Sequence, residues 1–204
     1  MLKNSLRGLK MNKRYWYVSL FVVMLAFTLV GCGNKIDNAL NWKTKSYTYT
    51  NQDGKPFGSK NLKGKVYLAD FIFTNCQTVC PPITANMAKI QRMAKEKNLD
   101  VQFVSFSVDP TVDTPQKMKE FSKKFNADLK SWNFLTGYSQ NDIEKFAHDN
   151  FESYVKKPAG QDQVIHQTMF FLVDQKGTVM QSYSSYPKVP FDQIINDMKI
   201  LLKN

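Results

Sequence analysis

Val66-Tyr67-Leu68-Ala69-Asp70-Phe71-Ile72-Phe73, continuing into Thr74-Asn75-Cys76-Gln77-Thr78-Val79-Cys80-Pro81, is the stretch on which the fold turns. Its first eight residues are nearly continuous in apolar character, the habit of a strand buried on both faces. From Cys80 to Lys97 the period changes, and Ile83, Met87, Ile90, Met93 and Ala94 recur at helical spacing. Pro81 suits the first turn of that helix, where an amide N–H would lack a partner. Two cysteines therefore stand on a strand-to-helix turn, at the carboxyl end of a sheet, where open α/β folds place their ligands.

Downstream, Val101 to Val108 repeats the buried-strand pattern. Thr114-Pro115 reads as N-cap and first residue of a helix through Phe125, with Met118 and Phe121 inward. Asn133 to Thr136 is a short strand, and Ser139 with Asp142 three residues on opens a helix through about His148. Ile165 to Val173 reads as a third strong strand, and Asp174-Gln175-Lys176-Gly177 turns into Val179 to Tyr183. Phe191, Ile194, Ile195, Met198 and Leu202 form the inward stripe of a terminal helix. Upstream, Tyr47 to Thr50 alternates like a strand, and Asp53-Gly54 turns into another short one. This order predicts a single three-layer α/β domain with an N-terminal hairpin and a mixed central sheet, largely parallel with an antiparallel edge.

Further upstream the chain changes character. Residues 1–14 carry five cations and no acid, and Tyr15 to Val30 is apolar except for Ser19 and Thr28. That run is short of the ~20 residues a membrane-crossing helix needs, and a basic segment before an apolar one describes an export signal. It ends in Leu29-Val30-Gly31-Cys32, which resembles a bacterial lipobox, where the Cys sulfur is acylated and the chain is cut just before it. A plain membrane anchor is the competing interpretation. Both place residues 34–204 outside the cytoplasm, and Met11 offers a second translation start. The expected organisation is a signal peptide over 1–31, a lipid-anchored tether over 32–46 and a globular domain over 47–204, with Asn34 to Ser46 polar and without pattern.

The 204 residues, 43% apolar and 22% charged, suffice for one domain with a real core. Seventeen Gly plus Pro and 13% aromatics exclude collagenous and disordered classes. The net charge of +11 falls to +6 without residues 1–31, a mild excess suited to an anionic membrane face or an acidic partner. The lysines are scattered and no basic run interleaves with aromatics, which argues against nucleic acid. Three cysteines are too few for a disulfide scaffold.

In a helical turn, residues four apart share a face, so the Cys76 and Cys80 sulfurs would point the same way with Cα atoms about 6 Å apart. The helix N-terminus favours thiolate. Such a pair can hold a soft metal or cycle between dithiol and disulfide. The plainer alternatives are two small buried side chains or a structural disulfide, whose short loop would constrain little of the unfolded chain. Two sulfurs suffice for Cu(I), whereas Cu(II) or Zn(II) also wants nitrogen. Of the two histidines, His148 ends an amphipathic helix, an ordinary surface place for a cation. His166 opens the strand Ile165 to Val173, and faces the thiols if that strand lies beside the one preceding Cys76. Asp109 before Pro110 is a turn carboxylate or an outer-shell group at the pocket rim. Met87, Met93, Met118 and Met198 sit at core spacing and read as filler.

An exported, membrane-held domain with Thr74-x-Cys76-x-x-x-Cys80-Pro81, Asp109-Pro110-x-x-Asp113-Thr114-Pro115 and a late His166 at a strand start resembles the Sco (SenC) family over about residues 45–203. The resemblance implies a thioredoxin-like fold and one copper, Cu(I) or Cu(II), held by Cys76, Cys80 and His166, with Asp109 near them. It also implies a role in assembling the CuA centre of cytochrome c oxidase subunit II, which would be the partner of a monomeric, non-enzymatic metallochaperone. Two departures matter. Thioredoxin-like oxidoreductases have two residues between their cysteines and a cis-proline facing them; here there are three, and Gln167 stands at the matching position. Many Sco relatives have a small hydroxyl residue after the ligand His, so Gln167 leaves the surroundings of His166 open. The alternative function is a thiol–disulfide reductase acting through Cys76 and Cys80 on the acceptor's cysteines. A peroxidase would need a cationic partner near the thiol, and no Arg follows the motif until Arg92.

Overall fold

The computed structural model describes residues 35–76 and 78–203. In chain order these form β1 (Trp42–Lys43), β2 (Thr48–Asn51), β3 (Pro56–Gly58), α1 (Ser59–Leu62), β4 (Val66–Ile72), α2 (Cys80–Glu96) and β5 (Val101–Ser107). There follow α3 (Pro115–Lys124), β6 (Trp132–Thr136), α4 (Gln140–Phe151), β7 (Val155–Lys156), β8 (Ile165–His166), β9 (Met169–Val173), β10 (Thr178–Ser184) and α5 (Phe191–Leu202). Eight strands make one sheet in the order β1-β10-β9-β4-β5-β6-β2-β3, while β7 and β8 pair separately.

Strand β4 is buried along its whole length, as its composition demands. It lies parallel to β5 and antiparallel to β9. Side chains alternate across it. Val66, Leu68 and Ile72 meet α2, α3 and α5 through Ile83, Met87, Met118, Phe121, Ile194 and Met198. Tyr67, Ala69, Phe71 and Phe73 face α4 through Ile143, Phe146 and Phe151. The three layers are thus helices, sheet and a single helix, a thioredoxin-like arrangement. The caps are as the sequence foretells. Thr114 Oγ1 accepts the Lys117 N–H at 3.3 Å, and Ser139 with Asp142 forms a reciprocal capping box; each is worth about 1 kcal/mol.

The sheet is mixed, as expected: β4–β5 and β5–β6 pair in parallel, and antiparallel pairs flank them on both sides. Four other expectations are corrected. The segment Ile165 to Val173 is two strands, because Gln167 N–H bonds to Tyr154 O while Thr168 O accepts from Ser185 N–H, so the chain leaves one sheet for the other. Residues 36–46 are built into the domain: Ile36 is buried, Leu40 N–H bonds to Met180 O, and Trp42–Lys43 pair with β10. Their polar neighbours hide this, since only Ile36, Ala39, Leu40 and Trp42 carry the contact. The last helix turns Leu201 inward rather than Leu202, and α4 continues past His148 to Phe151.

Candidate metal centre

The sulfur side of the site is built on the end of β4. Thr74 gives its N–H and hydroxyl to the buried carboxylate of Asp113, which also accepts the Ser107 hydroxyl at 2.6 Å. One carboxylate thereby ties the ends of β4 and β5 together, two residues before Cys76. Burial pushes the Asp113 carboxyl up, against the pull of those donors. Cys80 is the first residue of α2, and Cys76 lies in the preceding loop, so the two do not share a helical turn. Their link is different. Pro81 and Pro82 have no N–H, which leaves the Cys80 amide as the first donor of the helix, and it points at Cys76 Sγ at 3.3 Å.

Both thiols are free and buried. The Cys80 thiol donating to the Cys76 sulfur holds Cys76 well below the ordinary thiol value, helped by the amides of Cys80, Val79 and Thr78 and opposed by burial. The same hydrogen bond, together with burial, pushes Cys80 far up. Of the two thiols, Cys76 is the one this arrangement favours as thiolate.

The nitrogen side comes from outside the main sheet. His166 on β8 lies opposite Val155 on β7, and its Nε2 is 3.6 Å from Cys80 Sγ. Its Nδ1–H donates to the Gln167 carbonyl at 3.0 Å, which leaves the Nε2 lone pair facing the thiols. Burial lowers the His166 pKa, against the pull of the Gln167 carbonyl, and so favours the neutral ring. Thiolate and imidazole donors sit about 2.3 and 2.0 Å from a shared ion, hence roughly 3.5–3.8 Å from each other at tetrahedral to trigonal angles. Cys80 and His166 stand at that separation. Among the described residues no three His, Cys, Asp or Glu side chains are gathered closely enough to hold a metal ion; the Cys76 sulfur lies beside this pair, 3.3 Å from the Cys80 amide.

The remaining expected residues divide. Asp109 is buried, but its carboxylate accepts from Lys157 Nζ at 2.7 Å and Thr111 Oγ1 at 3.0 Å and has no hydrogen bond with a thiol or the imidazole. Gln167 acts through its backbone carbonyl, and the residue is otherwise exposed. His148 is 81% exposed beside Asp149. Met87, Met118 and Met198 are buried in the core and Met93 packs against it. Cys32 and the lipobox lie outside the described residues. Asp113, Lys157 and Asp70 were missed as site or near-site residues. Asp70 had a signal, a lone carboxylate inside an apolar strand; it is fully buried, its oxygens have no hydrogen-bond partner, and burial pushes its pKa up to about 7. Lys157 had none, being one lysine among many. A shallow groove lined by Trp42, Glu152, Met169 and Phe171 reaches His166, whereas the cavity lined by Thr44, Lys60, Lys63 and Tyr67 holds no candidate ligand.

A thioredoxin-like domain that presents two thiols ahead of its first long helix, with an imidazole at coordination distance, defines a thiol-based metal or redox protein. The chain belongs to the SCO1/SenC family, whose profile matches residues 38–203. It is 48% identical over 172 residues to a SCO1 protein homolog of Bacillus subtilis strain 168, covering 84% of this chain and 89% of the relative. A SCO1/SenC family lipoprotein of Bacillus anthracis str. Ames is 60% identical with a TM-score of 0.80, over 82% of this chain and 99% of that one. BsSco, described as a cytochrome c oxidase assembly protein with a disulfide switch, is 48% identical with a TM-score of 0.77, over 82% and 98%. Bradyrhizobium japonicum ScoI with copper bound is 26% identical with a TM-score of 0.65, over 78% and 99%. No helix among the described residues is long and apolar enough to cross a membrane.

Proposed function

We propose that this protein binds one copper through Cys76, Cys80 and His166 and serves in assembly of the CuA centre of cytochrome c oxidase subunit II, held to the outer face of the cell membrane by a lipid on Cys32. The observation that carries the reading is the 3.6 Å spacing of Cys80 Sγ and His166 Nε2, with the ring nitrogen free of its proton and Cys76 beside them. Two soft sulfurs and one nitrogen suit copper in either oxidation state. The copper-bound relative and the oxidase-assembly relative support the cargo and the destination. Copper passes by ligand exchange to an acceptor of like donors, and docking gives the direction. Cu(II) added to the reduced protein is expected to give a sulfur-to-copper charge-transfer band that His166→Ala alters and either Cys→Ser change removes. An unchanged band in His166→Ala would sink the three-ligand site. Labelled fatty acid entering the wild type and not Cys32→Ala tests the anchor.

The lowered Cys76 favours one second reading, reduction of the acceptor's disulfide. Cys76 thiolate attacks that disulfide, one acceptor thiolate leaves, and Cys80, losing its proton, attacks Cys76 to release the second. The products are a Cys76–Cys80 disulfide and an acceptor dithiol. If oxidase assembly in cells survives His166→Ala but needs both cysteines, this reading displaces copper delivery.

A further inference from the structure

We infer that Lys157 is a positioning residue for the His166 imidazole, acting through its ion pair with Asp109; the inference rests on the copper reading above for the ligand it positions. The starting point is that β8, which carries His166, is not in the main sheet. It pairs with β7 over two residues only, Val155↔His166 and Lys156↔Ile165. A two-stranded ribbon of that size has no stability of its own, so something else must hold it.

The tethers can be ranked. Gln167 N–H bonds to Tyr154 O at 3.3 Å within the excursion, and Gln163 Nε2 reaches Asn75 O at a long 3.5 Å. Glu144 of α4 accepts Lys156 Nζ at 2.8 Å and Lys157 N–H at 2.9 Å, but the Lys156 side chain is 52% exposed, and a pair so wet contributes little. Lys157 Nζ to Asp109 Oδ1 differs in kind. It spans 2.7 Å, the lysine is 20% exposed and the aspartate 1%. Asp109 lies two residues beyond the end of β5, and its carbonyl also accepts the N–H groups of Val112 and Asp113. Its Oδ2 is buried with no hydrogen-bond partner. Removing the ammonium would leave an unpaired buried carboxylate, which is why this contact resists opening. Val155 and Val164 pack into the core and His166 lies edge-on to Phe73. The Lys157–Asp109 pair is a further pin, the one buried ionic contact between the ribbon and the end of β5 among the described residues, and so helps to set the distance from His166 to Cys80. The cysteines are held by other groups, Asp113 and the α2 amide, so losing the pin loosens nitrogen and spares sulfur.

The test compares Lys157→Met, which keeps the aliphatic stem, with Lys157→Arg, which keeps the charge, and Lys156→Met as the exposed neighbour. In the metal-free protein, amide exchange at His166 and Gln167 is expected to quicken about tenfold in Lys157→Met, with β4 and β5 unchanged. Cu(II) dissociation is expected to quicken by about tenfold or more, the usual range for losing an outer partner of a ligand. Lys157→Arg and Lys156→Met should stay close to wild type in both. Unchanged exchange in Lys157→Met, or exchange that quickens throughout β4 and β5, overturns the inference. Failure of the copper reading looks different. The local exchange effect persists while His166→Ala leaves the copper band untouched, and the pin then positions no ligand.

Discussion

The two halves of the site are held in opposite ways. The sulfur half grows out of β4, buried along its whole length, and the inward face of α2, and its last turn is fastened by a buried carboxylate and a backbone amide. The nitrogen half hangs on a ribbon of two-residue strands outside the main sheet, joined to the rest by one buried ion pair, two buried valines and a few more exposed contacts. Were the three side chains the copper ligands proposed above, the site would have a firm base and a more loosely held third donor. That would suit a carrier, since a fully rigid triad would bind well and release badly.

The contrast can be broken hardest at its base. Phe71→Ala, on β4 between Phe106, Phe151 and Phe171, is expected to cost about 3–5 kcal/mol in denaturant unfolding. If it cost no more than a surface change, the base would not be the stable half.

Asp70 sharpens the same point through pH. Its carboxyl titrates near 7 when folded and near 3.8 when unfolded, so the folded state binds the extra proton between those values. Stability from this group is complete below about pH 4 and is lost as pH rises through 7, by about 4 kcal/mol at most. Asp70→Asn should therefore raise Tm more at pH 8 than at pH 5, and an equal rise at both would show that the carboxyl is not protonated in the fold.

Asp113→Ala strips the acceptor from Thr74 and Ser107 and is expected to cost about 2–3 kcal/mol while slowing copper uptake through the thiols. Smaller again is the difference between the thiols: at pH 7 iodoacetamide should alkylate Cys76 before Cys80, read by peptide mapping, and the reverse order would overturn the assignment of the thiolate. Least of all, Gln167→Ala should change stability by under about 0.5 kcal/mol and leave the copper band in place, because its contact with His166 is a carbonyl. A lost band would mean that the side chain matters.

The base was legible in the sequence and the nitrogen side was only half so. Period and apolar run gave β4, α2 and the cysteine turn, since local propensity and burial agree there. His166 was found by elimination among two histidines, yet the break between β8 and β9 was invisible. Met169 to Val173 and Ile165 both read as strand, and only the hydrogen bonds from Gln167 N–H to Tyr154 O and from Ser185 N–H to Thr168 O decide where one sheet ends. Lys157 and Asp109 meet across 48 residues, a pairing no local pattern announces. Residues 36–46 escaped for the opposite reason, four apolar side chains scattered among polar ones.

That last segment has a consequence for reach. With Ile36 buried and Trp42–Lys43 stitched to the sheet edge, the lipid proposed on Cys32 would stand four Cα–Cα steps from the domain, at most about 14 Å. The globule would then skim the bilayer like a buoy on a short chain, and a client would have to bring its own docking face down to the headgroups.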